Sequence, residues 1–283
     1  MDNRLGVKAD GSSQNIDERQ LLGEDVETIR NIALAARDQE NEIEKRMKSV
    51  LKRFPVYNEF LSQTKGVGTI AAATIISSFD IYKATTVSKM WQYAGLNPGL
   101  VKGKKRKDKA DGSFDIITTD TMIRGDRMTA GFVAPFNKSL RTALCGVLAS
   151  GFLMAGYNYV PVPQEAYDEL PEHLRALKDK TINGKRVKDC PCRLEITCPY
   201  CQHYFNYKQR LANSEKTVTE IKSKGAKGEQ VAWKDAKAGH RERAAKRYMV
   251  KMFVQDLYNA WRIIEGLPVR PPYQEEYLGH KHG

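Results

Sequence analysis

The fold of this chain is decided by residues 60–71, which read FLSQTKGVGTIA. Apolar residues lead into a Gly-Val-Gly turn at 66–68, and small and apolar residues follow at helical spacing, which predicts a helix-hairpin-helix element. The two glycines allow a tight turn and a close approach to a ligand. The second helix begins there with unpaired N–H groups and the positive end of its dipole, so the hairpin predicts a site for a phosphate group.

Side chains around this turn would strengthen a phosphate contact. Lys65 adds a charge beside the turn and Thr69 adds a hydroxyl donor after it, and neither implies that bases are read. Glycines also end ordinary helices, so a plain helix terminus is the alternative interpretation. The candidate DNA-binding residues of the hairpin are Lys65, Gly66, Val67, Gly68 and Thr69.

A second basic feature follows the hairpin. The composition between residues 98 and 136 is basic at first and then rich in Thr, Gly and Asp, which is typical of a loop or a β-hairpin. The cations suit contacts along a nucleic-acid backbone, and a solvated loop is the alternative. The candidate DNA-binding residues here are Lys102, Lys104, Lys105, Arg106 and Lys107.

The composition favours a polyanionic partner. The 283 residues include 46 Lys and Arg against 34 Asp and Glu, a formal net charge of +12, and the sequence pI is about 9.4. No stretch reaches the ~18 consecutive apolar residues of a membrane span, and the N-terminus lacks the apolar core of a signal peptide. The sequence therefore predicts a cytoplasmic protein without a membrane partner.

A long amphipathic helix precedes the hairpin. Its apolar residues recur in steps of three and four, broken at Glu40, and the pattern ends before Pro55. Such a stripe can form a coiled-coil seam, which predicts a homodimer through residues 26–54, and packing on its own domain is the alternative. The seam residues are Val26, Ile29, Ala33, Ala36, Ile43, Met47, Val50 and Phe54.

Four of the five cysteines lie between residues 190 and 201, a spacing that suits metal ligands in a reducing compartment. Cys190 and Cys192 form a Cys-Pro-Cys pair, and Cys198 and Cys201 form a Cys-Pro-Tyr-Cys knuckle. Four thiolates predict a tetrahedral, structural zinc site with no open position for catalysis. The alternatives are His203 in place of one idle thiol, free thiols, or a redox pair.

The remaining pattern predicts two more helices. Residues 137–156 are almost continuously apolar, which indicates a buried helix, and residues 241–265 carry one apolar face. The predicted fold class is mostly α, with a helix-hairpin-helix core, a long N-terminal coiled-coil-like helix and a small zinc-binding insertion. The predicted segments are a disordered arm at 1–22, the long helix at 23–55, the hairpin domain at 56–156, a connection with the cysteine insertion at 157–240, and a C-terminal helix and tail at 241–283.

Three motifs follow one another along the chain: Lys65–Gly68, Trp91–Pro98 and Asn137–Arg141. In this order they resemble the C-terminal transposase domain of the insertion-sequence one-ten family, which includes Piv-type invertases and bridge-RNA-guided recombinases. The likeness covers roughly residues 56–156. The long helix from Val26 resembles the coiled coil that precedes this domain in the family.

The resemblance implies DNA strand exchange at a composite site. In the family, an N-terminal ribonuclease-H-like domain supplies four acidic metal ligands and the C-terminal domain supplies a serine nucleophile. About 22 residues precede the first predicted helix, fewer than the ~50 of a small domain, so we expect the acidic domain to be missing and a separate nuclease subunit to replace it. Ser113, the only serine between the second and third motifs, is the candidate catalytic residue, and a turn residue is the alternative.

These features together predict a DNA-binding, transposase-like protein of prokaryotic, phage or mobile-element origin. It would act in DNA transposition or recombination without autonomous catalysis. A non-enzymatic accessory DNA-binding protein is one alternative, and a relative that binds structured RNA is the other.

Overall fold

The computed structural model describes residues 23–170, 181–182, 185–186, 192–220 and 228–271. Most of the described elements are helices, which confirms the predicted mostly α class. The chain divides into two compact units, Met1–Phe54 and Pro55–Gly283. The predicted arm at 1–22 and the candidate ligand Cys190 lie outside the described residues. Within the described ranges, no helix is long and apolar enough to cross a membrane.

The first unit contributes one long helix, α1 (Gly23–Leu51). It is continuous through Glu40, where the apolar pattern is broken. The helix ends four residues before Pro55, as expected because proline disfavours helical geometry in the residue before it. Its seam positions Ile43 and Val50 are exposed.

The second unit opens with the predicted hairpin. A π-helical turn (Tyr57–Leu61) leads into the Gly-Val-Gly turn and then into helix α2 (Thr69–Ser78). Helix α3 (Val87–Tyr93) follows, and Gly95, two residues after its end, adopts a φ of 68°.

Two helical regions form the core of this unit. The apolar run predicted at 137–156 contains α4 (Lys138–Thr142), a π-helical segment (Ala143–Leu148) and α5 (Ala149–Ala155). The long helix α8 (Ala238–Ile264) buries one face along its length. An aromatic cluster joins these regions, with ring centroids 4.9 to 6.0 Å apart. Its members are Phe60, Phe152, Tyr200 and Phe253.

The remaining elements are small. Helix α6 (Gln164–Glu169), helix α7 (Pro199–Ala212) and a 3-10 turn (Trp233–Asp235) lie between the core helices in sequence. The described strands pair as four antiparallel two-stranded sheets. They are β1 (Leu100–Asp108) with β2 (Phe114–Arg124), β3 (Tyr157–Pro161) with β6 (Cys192–Ile196), β4 (Thr181–Ile182) with β5 (Lys185–Arg186), and β7 (Thr217–Glu220) with β8 (Glu229–Ala232).

Candidate nucleic-acid interface

The predicted basic run lies on a two-stranded ribbon formed by β1 and β2. From Lys104 to Asp108 every residue of β1 is exposed, and the opposing residues Phe114 to Thr118 are exposed as well. Side chains alternate between the two faces of a strand. Lys105 and Lys107 therefore lie on one face of the ribbon, and Lys104 and Arg106 lie on the other, so both faces are basic.

The cations of the ribbon differ in their partners. Lys102 forms an ion pair with Asp120 at 3.1 Å, and Arg106 forms one with Asp108 at 2.6 Å. Lys104 and Lys107 have no carboxylate partner among the residues that the structure describes. Exposed ion pairs contribute little to stability because water and salt screen them. Lys102 and Arg106 therefore remain available to a polyanion despite their ion pairs.

The base of the ribbon packs on the segment that follows β2. The Val133 N–H donates a hydrogen bond to the carbonyl oxygen of Lys104 at 2.7 Å, and within the ribbon the Thr119 hydroxyl donates to the carbonyl oxygen of Gly103 at 2.9 Å. The Phe132 ring covers Gly103 so closely that no side chain fits there. This arrangement holds the base while the distal half of the ribbon is exposed.

Ser113 lies at the distal tip of the ribbon. The carboxylate of Asp111 accepts hydrogen bonds from the Ser113 N–H at 2.9 Å and from its hydroxyl at 2.6 Å, which is the geometry of an Asx turn. The Ser113 hydroxyl also lowers the pKa of the Asp111 carboxyl. The contacts account for the turn conformation, and the catalytic role of Ser113 stays a prediction.

The two glycines of the hairpin have different surroundings. Gly66 adopts a φ of 95°, and a Cβ there would lie 2.8 Å from the Phe152 ring and 2.9 Å from the Gly151 carbonyl oxygen. Gly68, the N-cap of α2, has open space around its Cα. Thus Gly66 serves a contact with α5, and Gly68 is the position with room for an external group. Lys65 donates to the hydroxyl of Thr197 at 2.9 Å.

The structure brings the second and third motifs of the resemblance together. The Asn137 N–H donates to the carbonyl oxygen of Tyr93 at 2.8 Å, and the Asn137 side-chain amide donates to the Tyr93 hydroxyl at 3.0 Å. Phe136 packs on Gly95, where a Cβ would lie 2.7 Å from its ring. The Arg141 guanidinium lies over the Phe136 ring, 4.7 Å from its centre.

The cysteine knuckle lies at the start of α7. The Cys201 sulfur lies 3.0 Å from the carbonyl oxygen of Phe152, and it occupies the space beside Gly156. Hydrogen bonds from Cys201 and from nearby backbone N–H groups lower the pKa of Cys198 to about 6, and Lys65 adds to this effect. The hydrogen bond between the two sulfurs and burial raise the pKa of Cys201. One thiolate is thus favoured before any metal binds.

The other candidate metal ligands are less fully described. Cys192 begins strand β6, opposite Pro161 of β3. His203, the alternative ligand, packs edge-on against the Tyr248 ring at 6.2 Å between centroids. Among the described residues, no group of three or more His, Cys, Asp or Glu side chains is arranged to hold a metal ion. The zinc site stays a prediction.

Sequence reasoning missed a cavity of about 460 Å³ that is rich in arginine. Arg124 and Arg127 lie at the base of the ribbon, Arg141 lies in α4, and Arg247 lies in α8. Arg124 and Arg127 are three residues apart, but Arg141 and Arg247 are distant from them and from each other, so no spacing rule connects the four. Both helices carry other cations as well, so the sequence offers no signal that singles out positions 141 and 247.

No family model, curated protein or solved structure matches this chain.

Proposed function

We propose that this protein binds duplex DNA and acts in DNA transposition or recombination, as a transposase-like protein without autonomous catalysis. The observation that carries the proposal is the exposed ribbon of β1 and β2 with cations on both faces. The net charge of +12 supports it because a polyanion is attracted over the whole surface.

The dimensions of the ribbon suit the major groove of DNA. That groove is ~12 Å wide and admits a two-stranded β-ribbon. Nine residues of β1 span roughly 30 Å at the usual rise of a strand. With basic side chains on both faces, the ribbon would contact the phosphates on both walls of the groove. The exposed Ile116 and Ile117 offer apolar contacts, which in the major groove are made with thymine methyl groups.

The hairpin supplies a second contact to the backbone. Gly68 leaves the beginning of α2 open, and its φ of −80° and ψ of 168° are those of an ordinary N-cap. The first N–H groups of a helix attract phosphate through hydrogen bonds and the helix dipole. Thr69 is half-buried at the same place and can add a hydroxyl donor.

Strand chemistry in this proposal requires acidic metal ligands, which the family resemblance assigns to a ribonuclease-H-like nuclease, supplied here as a subunit. The family resemblance assigns the nucleophile to a serine, and Ser113 would reach DNA at the tip of the ribbon. A test is strand exchange with such a subunit present, comparing Ser113→Ala with the wild type. Loss of exchange with unchanged DNA affinity would support the serine role, and retained exchange would reject it.

The cysteine insertion has a structural role in the proposal. Cys190, Cys192, Cys198 and Cys201 would hold one zinc ion, and the ion would join strand β6 to the start of α7. The donor chemistry fits because the knuckle already favours a thiolate at Cys198.

The proposed function is tested by DNA binding across a salt series. Fluorescence anisotropy compares the wild type with the ribbon variant Lys104→Gln, Lys105→Gln, Lys107→Gln on a labelled linear duplex and a four-way junction. We expect wild-type binding to weaken steeply with salt. The slope of log K against log salt should fall by roughly 0.9 for each phosphate contact that the variant loses.

A matched control removes three lysines from other surfaces. The control variant is Lys45→Gln, Lys83→Gln, Lys89→Gln, and all three positions are exposed. It has the same net charge as the ribbon variant, so equal losses in both would mean that charge alone attracts DNA and would reject the ribbon as the site. Salt-insensitive wild-type binding would reject the DNA-binding proposal. Tighter binding to structured RNA than to DNA would replace it with RNA recognition.

A further inference from the structure

The arginine-rich cavity at the base of the ribbon has an excess of positive charge. Its cationic members are Arg124, Arg127, Arg141 and Arg247, and the carboxylate in its lining is that of Asp126. Asp126 is bound to Arg124 by two hydrogen bonds of 2.9 Å each. Its negative charge is therefore shared with the one arginine that contacts it directly.

Among the described residues, no carboxylate forms an ion pair with the other three arginines, although the charge of Asp126 acts on Arg247 from further away. Arg141 donates to the backbone carbonyl oxygen of Asp126, which is neutral. Arg127 and Arg247 make no side-chain hydrogen bond or ion pair within the described residues. Burial lowers the pKa of Arg247, and the nearby charge of Arg141 lowers it further. Mutual repulsion between the charges of Arg141 and Arg247 in a partly desolvated cavity costs free energy, and a bound anion would offset that cost.

The opposite wall of the cavity is polar and neutral. Thr217, Thr219 and Gln230 come from strands β7 and β8, and the Gln230 amide donates to the Thr219 hydroxyl at 2.9 Å. His240 and Trp233 complete this side. Desolvation lowers the pKa of His240, and the Glu220 carboxylate, 3.6 Å from the His240 Nδ1, acts in the opposite direction. Hydroxyl and amide groups opposite guanidiniums provide additional hydrogen bonds to an oxyanion.

An aromatic cavity of about 290 Å³ adjoins the first one and shares Arg124, Asp126, Trp233 and Arg247 with it. Its lining includes Trp233, Tyr207 and Tyr248, and the two tyrosine rings stack at 4.3 Å between centroids. Aromatic side chains beside a cationic site are the combination that single-stranded nucleic acids require, because bases stack on rings while phosphates contact arginines.

We infer that the two cavities bind one unpaired nucleotide, with its phosphate among the four arginines and its base in the aromatic cavity. Guanidinium groups match phosphate geometry with paired hydrogen bonds. A concave site of this size encloses a single nucleotide, whereas a duplex keeps its bases stacked inside. The inference rests on the proposed function, since strand exchange exposes unpaired DNA, and it deepens that function by naming the strand form that the site accepts.

The experiment uses two probes with the full chain: inorganic pyrophosphate and a hexamer of deoxythymidylate. Isothermal titration calorimetry measures both, in the background of the ribbon variant, so that ribbon contacts do not contribute. We expect Arg247→Met to weaken both probes at least tenfold, because it removes the buried charge and keeps an aliphatic side chain. Arg127→Gln, at an exposed position, should weaken both at least threefold.

A matched control separates the cavity from general charge. Arg243 is exposed one turn before Arg247 on α8 and does not line the cavity. Arg243→Gln removes the same charge from the same helix, and we expect it to change the affinity less than twofold. Equal losses for Arg243→Gln and Arg247→Met would overturn the assignment of the site.

Thermal denaturation without ligand distinguishes binding from a structural role. Because the free cavity holds uncompensated charge, Arg247→Met should melt at the same temperature as the wild type or higher. A variant that melts well below the wild type would show that Arg247 supports the fold and would overturn the inference.

The two probes identify the source of the phosphate. Tighter binding of the hexamer than of pyrophosphate supports the unpaired strand, and equal or weaker binding of the hexamer would reject it in favour of a small phosphate compound. Because duplex binding is not measured in this background, these outcomes are independent of the proposed function. The ribbon variant can lose duplex binding while the cavity retains its ligand.

Discussion

The backbone of Gly66 lies directly against the backbone of Gly151. The carbonyl oxygen of Gly66 occupies the place where a Cβ of residue 151 would lie, and the carbonyl oxygen of Gly151 is 2.9 Å from the place of a Cβ on residue 66. This mutual contact joins the hairpin turn to α5. The hairpin is thereby held in position by packing, before any ligand binds.

We expect Gly151→Ala to destabilise the protein by about 2 kcal/mol, because the methyl group would force the hairpin away from α5. Gly146→Ala in the same helical run is the matched control. A Cβ at Gly146 has nothing within 4 Å, so this change should be neutral or stabilising by up to ~1 kcal/mol. Denaturant unfolding measures both, and equal effects at the two positions would contradict the close contact.

The open position at Gly68 separates folding from DNA binding. Gly68→Asp should stabilise the protein by roughly 0.5 kcal/mol, because a carboxylate caps the first turn of α2 and favours its dipole. The same carboxylate should repel a phosphate and weaken duplex binding about tenfold, or ~1.4 kcal/mol. Thermal melting and fluorescence anisotropy measure the two effects.

Gly68→Asn is the control for the charge in that experiment. An asparagine caps a helix as well as an aspartate does, but it does not repel phosphate. We expect a similar gain in melting temperature with a DNA affinity within twofold of the wild type. If both variants bind DNA like the wild type, the hairpin is not a phosphate site.

The sequence predicted the helices well because their periodicity records which face is buried. The pattern of 241–265 corresponds to α8, and the apolar run at 137–156 corresponds to the segments from Lys138 to Ala155. The composition of residues 98–136, basic and then rich in Thr, Gly and Asp, also agreed with a β-ribbon. Local signals of this kind need only the neighbours along the chain.

Long-range contacts were beyond local pattern analysis. The glycine at 66 was expected to let a ligand approach, whereas the structure places the backbone of Gly151 there. Arg141 and Arg247 are more than a hundred residues apart in the sequence, and only the packing of α4 near α8 brings them to one cavity. The sequence shows that glycines and arginines are present, but the fold decides what each one contacts.

Two exposed seam positions of α1 give a test of the predicted dimer. Ile43 and Val50 are one heptad apart, and 58% and 51% of their surfaces are exposed. In a coiled coil both would be buried in the partner helix. We therefore expect Ile43→Glu with Val50→Glu to weaken dimerisation at least a hundredfold in sedimentation equilibrium, because two carboxylates would be buried without partners.

Leu34 provides the control for that measurement. It is an exposed apolar residue of the same helix, 37% exposed, and it lies outside the predicted seam. Leu34→Glu should leave the dimer constant within threefold. A wild-type chain that sediments as a monomer would reject the dimer and favour the alternative, packing within the chain.

Zinc content gives the last test, because the cysteine knuckle is only half formed as a metal site. Hydrogen bonding favours the thiolate of Cys198, whereas Cys201 retains its proton and donates it to the Cys198 sulfur. Binding of zinc must displace that proton. We expect one zinc per purified chain by elemental analysis, an affinity that rises with pH, and a lower melting temperature after chelation.

Cys198→Ser and Cys201→Ser should each reduce the zinc content strongly. Cys145→Ser should not, since burial raises the pKa of Cys145 and it lies in the core helical run. Zinc that is unaffected by the knuckle variants, or a chain that neither contains nor takes up zinc, would reject the site.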